Sequence, residues 1–228
     1  MMKRIFIFIL GCIVCGSMKA QRQQVFDEYC QEAGCLAEMF VGKLEVGYSS
    51  VIYKNLPYLL SDDFVLGNVM YKGIWHRNIF MRYDAYLKQL VVNTPERLLN
   101  VCVYMDDVDK FTLDGIDYER RDGEFVAILF RSPRVELIEQ VSVIVNEEFI
   151  SSVSLKYRFD KIVKYFVLSE GRKYEVSKLR SVQKIYPNIK KELKRFSKQN
   201  RLDFKEHRKS SLASLMKYAD ELLTTPLK

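Results

Sequence analysis

Four times along the chain, a two-residue pair ending in glycine interrupts a run of β-branched and aromatic residues: Lys72-Gly73, Asp114-Gly115, Asp122-Gly123 and Glu170-Gly171. Glycine accepts the positive φ angles of tight hairpin turns, and connections this short join only antiparallel neighbours. The runs on either side fit strands: Gly67 to Tyr71 and Ile74 to Tyr83, Phe111 to Leu113 and Ile116 to Tyr118, then Phe125 to Phe130. From residue 36 to 176 the chain is therefore expected to form an antiparallel β meander, as a curled sheet or partial barrel. One long strand is expected from Leu155 to Leu168, with a bulge or turn at Asp160-Lys161. Residues 22–35 fit a short helix or a loop.

From Ser177 the apolar period lengthens from two to about 3.6. Ser177 is placed to cap a helix bearing Leu179, Val182 and Ile185, which Pro187 stops. A second helix carries Ile189, Leu193 and Phe196 on one face and Lys190, Lys191, Lys194, Arg195 and Lys198 around the other, ending near Asn200. A third sets Leu212, Leu215, Met216, Ala219, Leu222 and Leu223 on one stripe, with Ser210 or Ser211 as its cap. The expected class is α+β, an antiparallel meander followed by about three C-terminal helices. No Pro/Gly/Ser linker separates the two parts, and hydrophobic residues at 48% suffice for a sizeable core. Residues 21–228 are thus expected to form a single domain, with a β-rich body over 36–176 and a helical segment over 177–223 packed on it.

The N-terminus has the three parts of a secretory signal: Lys3 and Arg4, an apolar run from Ile5 to Cys15, then Gly16 to Ala20. Eleven apolar residues make about 16 Å of helix, about half the hydrocarbon thickness. Residues 1–20 are expected to be cut away before Gln21, giving a protein of the periplasm, cell envelope or medium with no transmembrane span. The alternative is lipoprotein processing at Cys12, after Ile9, Leu10 and Gly11, which leaves only five apolar residues. Charge is uneven beyond the signal: residues 21–154 hold 13 Lys/Arg against 21 Asp/Glu, and residues 155–228 hold 20 against 8. Such a split marks either a basic face for an acidic partner or two halves that attract one another.

Chemistry-bearing motifs are sparse. Outside the signal, three cysteines remain. Cys30 and Cys35 flank Gly34 and are spaced to pair, while Cys102, between Val101 and Val103, is expected in the core. The two histidines, His76 beside Trp75 and His207 in a basic stretch, have no zinc-site spacing and no GxSxG partner. Asp106, Asp107 and Asp109, followed by Asp114, Asp117 and Glu119, lack the EF-hand order and fit a solvated turn. Accordingly no catalytic, cofactor-binding or metal-binding residue is assigned and no cofactor is expected. Glycosidase-like paired carboxylates stay open, because their separation is spatial.

Four stretches together carry a resemblance: Met39 to Lys43 with Gly47-Tyr48; Pro57 to Phe64 leading through Gly67 to Gly73; Phe80 to Tyr86; and Lys184 to Lys194 leading into Asn200 to Phe204. The arrangement resembles a family of uncharacterised exported proteins common in Bacteroidota, in which a "YxG" hairpin and an "LRYDxY"-like strand precede a basic helical tail. The resemblance implies an exported location and this architecture; it carries no activity and no site residue. Here Trp75-His76-Arg77-Asn78 stand where relatives more often show a tyrosine and small polar residues.

Three function classes are compatible with these features. The favoured one is a non-catalytic envelope or secreted protein that binds a protein or surface partner, with no nucleic acid. The second is a carrier of an apolar ligand in a curled-sheet cavity. The third is a hydrolase using acidic residues.

Overall fold

A computed structural model describes residues 38–151 and 154–224. The expectations for residues 1–20 and 22–35, with Cys30 and Cys35, lie outside them. The strands are β1 (Lys43–Leu44), β2 (Val65–Tyr71), β3 (Ile74–Asp84), β4 (Gln89–Asn93), β5 (Asn100–Cys102), β6 (Val108–Leu113), β7 (Ile116–Arg121), β8 (Glu124–Arg131), β9 (Val135–Ser151), β10 (Ser154–Ser169) and β11 (Arg172–Val176). They form one antiparallel sheet in the order β1-β5-β4-β3-β2-β6-β7-β8-β9-β10-β11. The α+β class and the antiparallel sheet are as the sequence implies, with β2 to β5 and β6 to β11 each in meander order and joined where β2 pairs with β6.

The four glycine pairs are the hairpin turns. In each, both residues have positive φ, from Lys72 at 50° with Gly73 at 76° to Glu170 at 51° with Gly171 at 72°. That conformation matches the twist of the strands it joins. β2 lies between β3 and β6, and a Cβ on its Gly67 would stand 2.1 Å from the Thr112 carbonyl oxygen and 2.2 Å from Met81 Cε. Only glycine lets the three strands approach so closely there.

The sheet curls without closing by strand pairing; β1 and β11 are its edges. Laid flat, β3 and β10 would be about 29 Å apart, six spacings of about 4.8 Å. Yet Tyr86, just past β3, has its ring 5.2 Å from that of Phe159 in β10. The gap is spanned by residues 48–59. The Lys54 amide donates to the Tyr157 carbonyl and the Tyr157 amide to the Ile52 carbonyl, while the Leu59 amide donates to the Tyr83 carbonyl. Asn55 brackets Phe159, its Nδ2 donating to the Phe159 carbonyl at 2.7 Å and its Oδ1 accepting the Phe159 amide at 2.8 Å. This segment occupies the part of β10 that β11, paired only from Tyr165 onward, leaves open.

Inside the curl the space is filled. Phe111 stacks on Tyr118 at 4.9 Å and on Tyr83 at 5.5 Å, with Val69, Met81, Leu90 and Leu113 buried around them. β10 runs straight through Asp160-Lys161, correcting the expected bulge; its register shift falls at Ser154/Leu155. The charged pair is satisfied in place, Asp160 by Asn146 and Arg158, and Lys161 by the Leu59 carbonyl.

Three helices follow: α1 (Leu179–Ile185), α2 (Lys190–Gln199) and α3 (Arg208–Thr224). Val182, Leu193, Leu212, Leu215, Met216 and Ala219 form one core with Leu137, Tyr165 and Val167 of the sheet. Leu129 of β8 touches this core and the core inside the curl alike. Phe196 of α2 stacks on Tyr218 of α3 at 4.1 Å. Two expected caps are corrected. At α1, the Ser181 hydroxyl rather than that of Ser177 serves the helix start, accepting the Ser177 and Lys178 amides. α3 starts before Ser210, in a turn where Asp203 accepts the Lys205 and Glu206 amides. Those two donors hold the Asp203 carboxyl below its usual pKa.

Candidate functional site

The residues singled out by type do not converge. His76 is buried in β3 with its ring 6.1 Å from Tyr71, whereas His207 is exposed before α3. The acidic run is spread over the structure. Asp107 accepts the Tyr71 hydroxyl at 3.0 Å and faces Lys72 at 3.7 Å; Asp109 accepts the Gly73 amide at 2.8 Å. These carboxylates fasten the β2–β3 turn, and burial, followed by the Asp107 hydrogen bond, pushes the Tyr71 hydroxyl up to about 12. Cys102 is only half-buried, a correction to its core placement. Alternation gives the core face to Val101 and Val103, both 2% exposed, and turns Cys102 to the other side. Partial burial raises its thiol pKa.

One buried polar cluster escaped the sequence reading because its members are far apart in the chain. Arg82 of β3 pairs with Glu45 at 2.7 Å and lies over the rings of Tyr58 at 3.9 Å and Phe64 at 4.3 Å. Glu45 also accepts the Tyr58 hydroxyl at 2.9 Å and Asn100 Nδ2 at 3.0 Å. Next to it, Asp84 accepts the Tyr48 hydroxyl at 2.5 Å and the Tyr86 and Leu87 amides. Burial, followed by the Asp84 hydrogen bond, drives the Tyr48 hydroxyl far above its usual range, so it stays a donor. Glu45 Oε2 and Asp84 Oδ2 tie residues 45–59 to the sheet, while Glu45 Oε1 bonds Tyr58 within that segment and Asp84 Oδ1 holds the turn after β3. Both carboxylates are thus hydrogen-bonded within the fold through both of their oxygens.

The helical layer presents a different arrangement. At 100° per residue, Lys190, Lys194, Lys198, Lys191 and Arg195 of α2 fall within an arc of about 140°, opposite Leu193 and Phe196. All five are exposed, as are Lys178, Arg180, Lys184 and Arg201 on the flanking segments. Among the described residues, none of these nine cations lies within 4.0 Å of a carboxylate. In the β body many cations are paired, as in Lys54 with Glu148, Arg131 with Glu119 and Arg158 with Asp160. Glu192 is the sole acid on α2. The result is a solvated positive surface whose apolar reverse side packs into the core shared by the helices and the sheet.

Beside this face, the residues before α3 and its first turns border an open groove of about 770 Å³ on the sheet. Its floor is Ile116, Ile128, Leu129 and Val163, and its rim holds Lys205, Arg208 and Lys209. Lys209 reaches down to Glu139, itself 8% exposed, at 2.9 Å. Among the described residues no helix is long and apolar enough to cross a membrane, and no His/Cys/Asp/Glu group is placed to hold a metal. Searches against models of known protein families, curated proteins and solved structures give no match to this chain.

Proposed function

We propose that the protein is exported and acts as a non-catalytic binding protein whose partner is an anionic surface of the cell envelope, held by the basic face of α1 and α2. The observation that carries this reading is the set of nine exposed cations on one layer of the molecule that have no carboxylate partner among the described residues. Cations left uncompensated on a rigid support concentrate positive potential and attract anionic surfaces over about one Debye length, roughly 8 Å at physiological salt. Each Lys or Arg brought to an anionic bilayer contributes about 1 kcal/mol. The signal-like N-terminus, with Lys3, Arg4 and Ala20, supports export.

The test is co-sedimentation of the protein beginning at Gln21 with phosphatidylglycerol-containing vesicles and with purely zwitterionic ones. Binding to the anionic vesicles alone is expected, weakening as salt rises. Reversing Lys191, Lys194 and Lys198 to Glu should lower it by more than about 100-fold. Unchanged binding of the triple variant removes the face from the account. Mass spectrometry of the protein recovered from the envelope or medium checks export: a mature start at Gln21 is expected, and a lipidated Cys12 overturns the cleavage site.

A further inference from the structure

From the groove between α3 and the sheet, we infer a second site that takes a single-chain anionic amphiphile, an acyl chain headed by a carboxylate or phosphate. The groove lies where the two cores meet. Leu129 belongs to the margin of both, and Ile116, Ile128 and Val163 come from β7, β8 and β10. Val163 is 40% exposed although it sits in the middle of the longest hairpin, with apolar neighbours on the same floor. Ala213 of α3 forms the opposite wall and, having no bulk beyond Cβ, leaves the groove open. The volume is in the range of pockets that bury small ligands, about 300–1,000 Å³.

The rim fixes the charge of the occupant. Lys209 is neutralised by Glu139 at 2.9 Å, and Lys205 lies 3.7 Å from Glu206. Arg208 has no carboxylate partner among the described residues; its Nε donates to the Phe204 carbonyl. Arg208 and Tyr165 line the same groove. One uncompensated guanidinium beside an apolar floor matches a ligand with one anionic end and an apolar body. An inorganic anion would leave the floor wet. A neutral hydrocarbon would leave the guanidinium unmatched, and an amphiphilic cation would meet repulsion.

This site stands apart from the basic face of α2, and its test keeps the two separate. Dodecanoate, dodecyl phosphate, dodecyltrimethylammonium and inorganic phosphate are titrated calorimetrically, each below its micellar concentration. The two anionic amphiphiles are expected to bind at least tenfold more tightly than the cation or inorganic phosphate, and the tighter of them names the head group. Arg208→Glu, a change at an exposed position, should weaken both at least tenfold, and Ala213→Trp, which fills the groove, should do the same. The Lys191, Lys194 and Lys198 reversal should leave them unchanged. Equal binding of inorganic phosphate or of the cation, no binding of either amphiphile, or full binding by the folded Arg208→Glu protein overturns the assignment.

Discussion

Glu119 shows how one residue's setting translates into stability. It sits on β7 between two cations, 2.7 Å from Arg131 and 2.8 Å from Arg121. The Arg131 hydrogen bonds, ahead of the opposing burial and of the Arg121 contact, bring its carboxyl from 4.5 down to about 2. A folded-state pKa below the unfolded one adds stability above about pH 4.5, and that contribution is lost as pH falls towards 2. Arg131 is 45% exposed, so screening reduces the effect, and Glu119→Gln should cost about 1 kcal/mol at pH 7. The gap between wild type and variant in denaturant melts should close between pH 4.5 and 2; a gap independent of pH shows that packing, not charge, sets it. Residue-scale features were legible in the sequence where they depend on the chain's own neighbours. Asp114-Gly115 and Asp122-Gly123 are turns because their conformational freedom is local. Gly67 and Cys102 were not, because the reasons for their environments lie on β6 and on the face that β5 turns inward.

Among the elements, α3 was the best read and the most misplaced at its start. The apolar stripe of Leu212, Leu215, Met216 and Ala219 is buried as its spacing implies. Its true beginning depends on Asp203, five residues before the helix, whose carboxylate accepts amides of the intervening turn. A serine next to an apolar stripe is a weaker indicator than that turn, since the hydroxyl of Ser211 is used instead on the Asp203 carbonyl. Leu215 is 0% exposed, in contact with a core that includes Leu137 and Val167. Leu215→Ala should therefore leave a cavity and cost about 2–5 kcal/mol, lowering the midpoint for the sheet and the helices together. Lys191→Ala with Lys198→Ala should cost at most about 1 kcal/mol. Circular dichroism for the helices and Trp75 fluorescence for the sheet follow the two parts. A Leu215→Ala protein in which only the helical signal melts early shows two independent units.

At the scale of the molecule, the charge split admitted two readings, and the structure divides it between them. Lys209 with Glu139, Lys173 with Asp122 and Arg158 with Glu148 join the basic half to the acidic one. The nine cations of α1, α2 and their flanks turn to solvent instead. The curl was legible as a tendency of a long meander, but what holds it was not. Asn55 meets Phe159 across 104 residues of sequence, and nothing in the composition of either segment announces the contact. The Asn55 side chain substitutes for a neighbouring strand, supplying one donor and one acceptor to β10 where β11 no longer reaches. Asn55→Ala removes both, leaving a part-buried amide and carbonyl without partners, at a cost of about 1–3 kcal/mol. The rings of Tyr48 and Tyr53 still pack on Phe159, each at 5.1 Å, so the fold as a whole should survive. Hydrogen exchange should then quicken at least tenfold at the Lys54, Tyr157 and Phe159 amides, while Leu137 and Val167, under the helices, keep their protection. Unchanged exchange at Phe159 means that aromatic packing alone closes the gap; faster exchange throughout means that the curl and the helical layer open as one unit.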